Sequence, residues 1–215
     1  MAFTAGLIAA DCVNAGSLAA LLSLSLLINS KQALTLLLRS PSGSRSLPLS
    51  VFLLQVFAGL LLILSVLHED LAGFSPYATV PIAYVLLLKL LGEHSIFTEV
   101  AGFMLLSASS LVAYYAAAGG LDHRLFITVA IFFVAGVFRV RIQFRKETFY
   151  RVLMIAYVIS AAAIFRAAGF PLLLLLPLAD NLLFSILLYR VGLAATGWIE
   201  MSKGLVFLVL LAYLY

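Results

Sequence analysis

Long apolar runs constrain this chain more than any other feature, because the gaps between them share the basic residues very unevenly. A helix needs about 20 mainly apolar residues to cross a hydrocarbon core of roughly 30 Å. Runs of that kind recur along most of the 215 residues, at positions 5–28, 47–67, 77–91, 96–118, 125–138, 152–165, 170–188 and 198–215. Backbone groups left unpaired cannot face lipid, and the runs lack the alternating pattern of a membrane barrel, so the spans are expected to be helical. The sequence therefore predicts an all-α, polytopic transmembrane bundle of about eight helices in a single integral membrane domain.

Composition supports this class and excludes another. Hydrophobic residues make up 65% of the chain and charged residues 10%, whereas soluble domains carry about 25% charge. No extramembrane domain fits in what remains. Pro41, Gly43 and Pro48 follow the first run, Pro76 and Pro81 stand at the third, Gly119 and Gly120 follow the fourth, and Pro171 opens the seventh. The stretch 31–39 is amphipathic and flanked by Lys31 and Arg39, so it is expected to lie in the interface rather than to cross it. The apolar start has no preceding basic residue, which argues for a first anchor rather than a cleaved signal peptide.

Charge then sets an orientation. Lys31, Arg39 and Arg45 fall in the first gap, Lys89 in the third, Arg139, Arg141, Arg145, Lys146 and Arg151 in the fifth, and Arg190 and Lys203 in the seventh. Only Arg124 and Arg166 of the 13 basic residues fall on the other side. The positive-inside rule places the odd gaps in the cytoplasm and both termini outside. The formal net charge of +4 lies beside membrane spans, so anionic lipid headgroups are the expected partner and nucleic acid is not. Cys12 is single, which excludes an internal disulfide and a CxxC pair.

Function in such a chain resides in polar groups within the spans, where an ionisable side chain costs several kcal/mol unless it is paired or wetted. Asp11 and Asn14 lie one helical turn apart in the first run, and Asp180 and Asn181 lie within the seventh. Two further segments, KLLGEHSIFTEVAG with Glu93, His94 and Glu99, and GWIEMSKG with Glu200 and Lys203, are expected at the cytoplasmic side. Between them comes FRVRIQFRKETFYR, with Arg139 and Arg141. Convergence of these ends predicts one polar pocket able to hold an anionic headgroup, a diphosphate or a cation. The plainer alternative is that the carboxylates neutralise the cations as structural pairs.

No complete catalytic, haem, metal or nucleotide motif is present. His68, His94 and His123 fall in loops or at span ends, Glu93 and His94 are adjacent and cannot share a helical face, and nothing orders a triad. No cofactor is expected. Ser109, Ala113 and Ala117 make a small-residue stripe for close helix packing.

The blocks GEHSIFTEVAGF, FFVAGVFRVRIQFRK and GWIEMSKGLVF resemble those of the YwiC-like family of prokaryotic integral membrane proteins, with the similarity running from about Leu34 to the end. The family's early His-Gly-Ala-Trp block is replaced here by MAFTAGLIAADCVNAG. The resemblance implies a prokaryotic cytoplasmic membrane location, and it singles out Glu93, Glu99, Gly102, Arg139, Arg141, Glu200 and Lys203. It implies no settled activity. Three readings follow: a non-catalytic anchor or accessory subunit, of a respiratory complex for example, with a membrane protein partner or a second copy; an intramembrane enzyme acting on a prenyl or lipid substrate through Glu99 and Glu200; and a small transporter.

Overall fold

The structure, a computed structural model, describes residues 1–39, 46–188 and 191–215. Every element among them is helical: α1 (Ala2–Ala10), α2 (Ala15–Arg39), α3 (Ser46–Leu67), the single turn α4 (Leu71–Phe74), α5 (Thr79–Leu91), α6 (Ile96–Ala118), α7 (His123–Arg145), α8 (Thr148–Ala168), α9 (Ala179–Leu187) and α10 (Leu193–Leu214). One 3-10 turn at Ser75–Ala78 joins α4 to α5, and a longer 3-10 segment, Leu172–Leu178, leads into α9. Among the described residues six helices are long and apolar enough to cross a membrane: Ser46–Leu67, Leu71–Leu91, Ile96–Ala118, His123–Arg145, Thr148–Ala168 and Ala194–Leu214. Arg45, Pro41, Gly43 and Arg190, which entered the sequence reading, lie outside the described residues.

Helix α7 is the axis of the bundle, with 67% of its most apolar stretch buried against 6% for α3 and 0% for Leu71–Leu91. It is ringed by α1, α6, α8 and α9, and its Phe132 stacks on Phe207 of α10 with centroids 4.2 Å apart. The antiparallel α2–α3 pair leans on α6 from outside, and α5 covers another side of α6. Leu53, Leu54 and Phe57 of α3 point away from the protein, as a lipid-facing surface does.

The first predicted run is two helices, not one. Helix α1 ends at Asp11 in the left-handed region (φ 46°), so Asp11 and Asn14 share no helical face and both are exposed. Asn14 instead caps α2: its side chain accepts from the Ser17 N–H at 2.8 Å, while its own N–H donates to Ser17 Oγ at 3.1 Å. Met1 lies against Gly204 in the middle of α10. Gly6 brings α1 close to α6: a Cβ there would stand 2.2 Å from the Ser110 carbonyl oxygen and 2.7 Å from Ala113 Cβ. The small-residue face of α6 is therefore the Ser107, Ser110 and Ala113 side, all buried, which shares Ala113 with the predicted Ser109, Ala113 and Ala117 stripe.

Other boundaries moved for related reasons. The stretch 31–39 does not separate as an interfacial helix but continues α2, whose 25 residues span about 37 Å. Pro81 sits in the first turn of α5, where its missing N–H breaks no bond. Pro177 ends the 3-10 segment just before α9, so the seventh run is interrupted where the sequence placed a proline. Helices α7 and α8 extend well beyond 125–138 and 152–165, and α10 begins at Leu193 rather than at Trp198. Charged residues do not stop a helix when partners meet them on neighbouring elements.

Candidate functional site: two charge clusters on opposite faces of helix α7

Arg139 and Arg141 were expected in a gap between spans, but both lie within α7 and both are buried, Arg139 completely. Two residues along a helix correspond to a rotation of roughly 200°, so their side chains leave opposite faces. This divides the single predicted pocket into two clusters.

The first lies between α7, α9 and α10. Arg139 Nε is 3.6 Å from Asp180 Oδ2 and 3.9 Å from Glu200 Oε1. Its guanidinium carbon is 3.2 Å from the centroid of the Phe184 ring, a cation–π contact. Lys203 donates to Glu200 Oε1 and to Asn181 Oδ1, and its Nζ is 3.5 Å from Asp180 Oδ2. Among the described residues two cations thus face two carboxylates. The cations are the buried partners, whereas the Asp180 and Glu200 side chains keep 30% and 29% of their surface.

Helical geometry gives the depth of this tetrad. Arg139 is six residues before the end of α7, Asp180 seven before the end of α9, and Lys203 ten after the start of α10. At a rise of about 1.5 Å per residue these are roughly 9, 10 and 15 Å along each helix from its own end. The tetrad therefore lies about two to three helical turns in from the ends of the helices that carry it.

The second cluster joins α6, α7 and α8 nearer that same end. Arg141 Nε donates to Glu99 Oε2 at 2.8 Å, Nη2 to the His94 carbonyl oxygen at 2.6 Å, and Nη1 to the Tyr150 hydroxyl at 3.4 Å. His94 contributes its backbone carbonyl to this contact. Gly92 (φ 79°) reverses the chain after α5 and aims that carbonyl at α7. Glu93 pairs with Lys31 of α2 at 2.9 Å, with both side chains about half exposed, and belongs to neither cluster.

Sequence reasoning missed several partners. Phe184 and Tyr150 carry no charge signal, and Gln143 gave no sign that it would accept from Thr196 Oγ1 at 2.6 Å and donate to the Val191 carbonyl at 3.1 Å, tying α7 to α10. Arg151 donates to the Ser185 and Ile186 carbonyls at 2.6 and 3.0 Å, which caps the C-terminal end of α9. That role could have been inferred from a cation one helix away from a helix end only once the ends were known to meet.

At the opposite end Asp122 caps α7 through the Arg124 and Leu125 N–H groups and accepts from the Tyr215 hydroxyl. Burial, then that bond, pushes the Tyr215 phenol well above its usual range, so it remains a donor. Asn14, Ser65, His68, Glu69 and Tyr115 line a cavity of about 540 Å³ on this side. A second cavity, of about 420 Å³, opens beside the tetrad between Leu172–Leu187 and α10. Among the described residues no three His, Cys, Asp or Glu side chains are placed to hold a metal ion together. No protein-family model, curated protein or solved structure matches the chain.

Proposed function

We propose that this chain is a membrane-embedded component without a catalytic centre of its own, an anchor or accessory subunit beside a partner membrane protein or a second copy. The observation that supports this reading is the internal matching of its ionisable groups. Arg139 and Lys203 answer Asp180 and Glu200, Arg141 answers Glu99, and Lys31 answers Glu93. Such pairing holds helices in register where hydrophobic contrast between helix and lipid is absent. The Glu99 and Glu200 pairing that a prenyl-processing site would need is disfavoured by their positions on opposite faces of α7.

The unburied apolar faces of α3 and α5 suit lipid or a neighbouring transmembrane helix. The basic end suits the cytoplasmic leaflet of a prokaryotic membrane, with its anionic headgroups, and the YwiC-like resemblance is consistent with that placement. Purification from the native membrane in a mild detergent, with mass spectrometry of everything retained, tests the proposal. A constant stoichiometric protein partner supports it. A partnerless monomer that turns over a substrate would refute it.

A transport role is the second reading, and one observation favours it: the interrupted segment Leu172–Leu187 places Asp180 just after the break. Interrupted helices beside buried carboxylates are common at transporter sites. Proteoliposomes whose proton or solute flux is unchanged by Asp180→Asn would remove this reading.

A further inference from the structure

We infer that the polar cavity lined by Asn14, Ser65, His68, Glu69 and Tyr115 binds a primary ammonium group, the chemistry shared by ethanolamine lipid headgroups and free amines. Such binding is independent of an anchoring role, because residues of this chain alone build the cavity.

The cavity gathers hydrogen-bond acceptors. Helices α3 and α6 both end at it, and the last turn of α6, at Ala116, Ala117 and Ala118, forms part of its wall. The last carbonyls of a helix have no partner within it and carry the negative end of its dipole, which favours a cation. Among the described residues only Ala117 of these three gains a side-chain donor, the Asn14 amide at 3.3 Å. The N-terminus of α2 also reaches the cavity, but the Asn14 side-chain and backbone oxygens already accept from its Ser17 and Leu18 N–H groups, so it offers an anion little.

Two side chains after α3 add further acceptors. His68 Nδ1 lies 2.9 Å from the Ser65 carbonyl oxygen, which only accepts, so Nδ1 carries the proton and Nε2 of the neutral ring presents a lone pair. Nε2 is 3.8 Å from Glu69 Oε1, too far for a hydrogen bond between them and close enough for two N–H groups of one ammonium to reach both. Tyr115 is the independent sign of a ligand. It lines the cavity with only 6% of its surface exposed, and its hydroxyl meets no hydrogen-bond partner among the described residues. A polar group so placed is normally satisfied, and an ammonium N–H in the cavity satisfies it. A bare metal ion fits less well, since no three His, Cys, Asp or Glu side chains among the described residues are placed to hold one. The volume of about 540 Å³ is that of a small-molecule site, roughly 300–1,000 Å³.

Ethanolamine and choline heads carry the same charge, but choline has no N–H to donate, and this difference provides the test. The full-length protein, stripped of lipid in dodecyl maltoside, is mixed with phosphatidylethanolamine, phosphatidylcholine or phosphatidylglycerol, and one-to-one adducts are measured by native mass spectrometry. Free ethanolamine and choline are titrated into the same protein by calorimetry. The expected result is saturable one-to-one binding that prefers the ethanolamine member by about tenfold, the worth of one charge-assisted hydrogen bond. Selective binding of the lipid without binding of free ethanolamine assigns the site to a headgroup, and selective binding of free ethanolamine assigns it to a soluble amine. Tyr115→Phe, which keeps the ring, and Glu69→Gln, at an exposed side chain, should each weaken that binding about three- to tenfold. Equal binding of choline and ethanolamine compounds, tighter binding of phosphatidylglycerol, or no saturable binding would overturn the inference. So would an affinity unchanged by Glu69→Gln, a variant informative even if Tyr115→Phe fails to fold.

Discussion

Removing the buried guanidinium in Arg139→Met should destabilise the protein severely, and removing a carboxylate with it should restore part of the loss. Arg139 has no exposed surface and stands 3.6 Å from Asp180 and 3.9 Å from Glu200. At an effective dielectric of about 20 one such contact is worth about 4–5 kcal/mol of Coulomb energy, which is the gross attraction before desolvation is subtracted. Deleting one member of a buried ion pair costs about 3–5 kcal/mol, because the remaining charge is left in a poor solvent. Among the described residues, Arg139→Met leaves Lys203 facing both Asp180 and Glu200, one cation against two carboxylates. In Arg139→Met with Glu200→Gln, Lys203 remains 3.5 Å from Asp180 and one described cation again faces one described carboxylate. The double variant should therefore be more stable than Arg139→Met alone, with a coupling of about 1.5–3 kcal/mol across the cycle. Equilibrium unfolding in mixed detergent and dodecyl sulfate micelles, followed by far-ultraviolet circular dichroism, measures all four corners. Additivity within about 0.5 kcal/mol would show that the tetrad does not act as one electrostatic unit.

Four other outcomes follow from the same geometry. Gly6→Ala should cost about 1–3 kcal/mol by overpacking α1 against Ser110 and Ala113, and unchanged thermal unfolding would place the two helices further apart than described. Arg141→Lys should lose about 1–3 kcal/mol despite keeping its charge, since one ammonium cannot reach Glu99, the His94 carbonyl and Tyr150 together; full stability in that variant would reduce the cluster to a simple ion pair. Reversing the half-exposed Lys31–Glu93 pair by Lys31→Glu with Glu93→Lys should change stability by less than about 1 kcal/mol, and a larger loss would mean that water does not screen it. Single cysteines at Arg124 and Arg145, in a Cys12→Ser background, should label from opposite sides of sealed vesicles, and equal accessibility would overturn the positive-inside orientation.

The helical class and most of the span positions were legible because both follow from run length. The residues of the clusters were also legible, since an ionisable side chain in an apolar run stands out whatever the fold. Their grouping was not. Arg139 and Arg141 read as one basic patch in FRVRIQFRK, and only their placement inside a continuous helix shows that the two side chains diverge. Glu200 and Lys203 read as residues before a span, yet α10 begins at Leu193 and carries them roughly 10 and 15 Å inward. Gly6 gave no signal, because its meaning lies in the Ser110 carbonyl opposite. The break after Ala10 was hidden by hydropathy, since Cys12 and Val13 continue the apolar run between the polar Asp11 and Asn14.

By itself the sequence determined that the chain folds as helices of membrane-spanning length, with its basic residues gathered towards one end. Those properties depend on summed transfer free energies along the chain, which need no knowledge of neighbours. Only the tertiary structure decided that α7 is central while α3 lies at the edge, and that four charges from three helices meet beside a cleft. Lipid chains and protein interiors are almost equally apolar, so hydropathy cannot distinguish a face that meets Phe207 from one that meets the bilayer. The choice rests on small residues that admit close backbones and on which cation finds which carboxylate, both properties of pairs of helices rather than of any one.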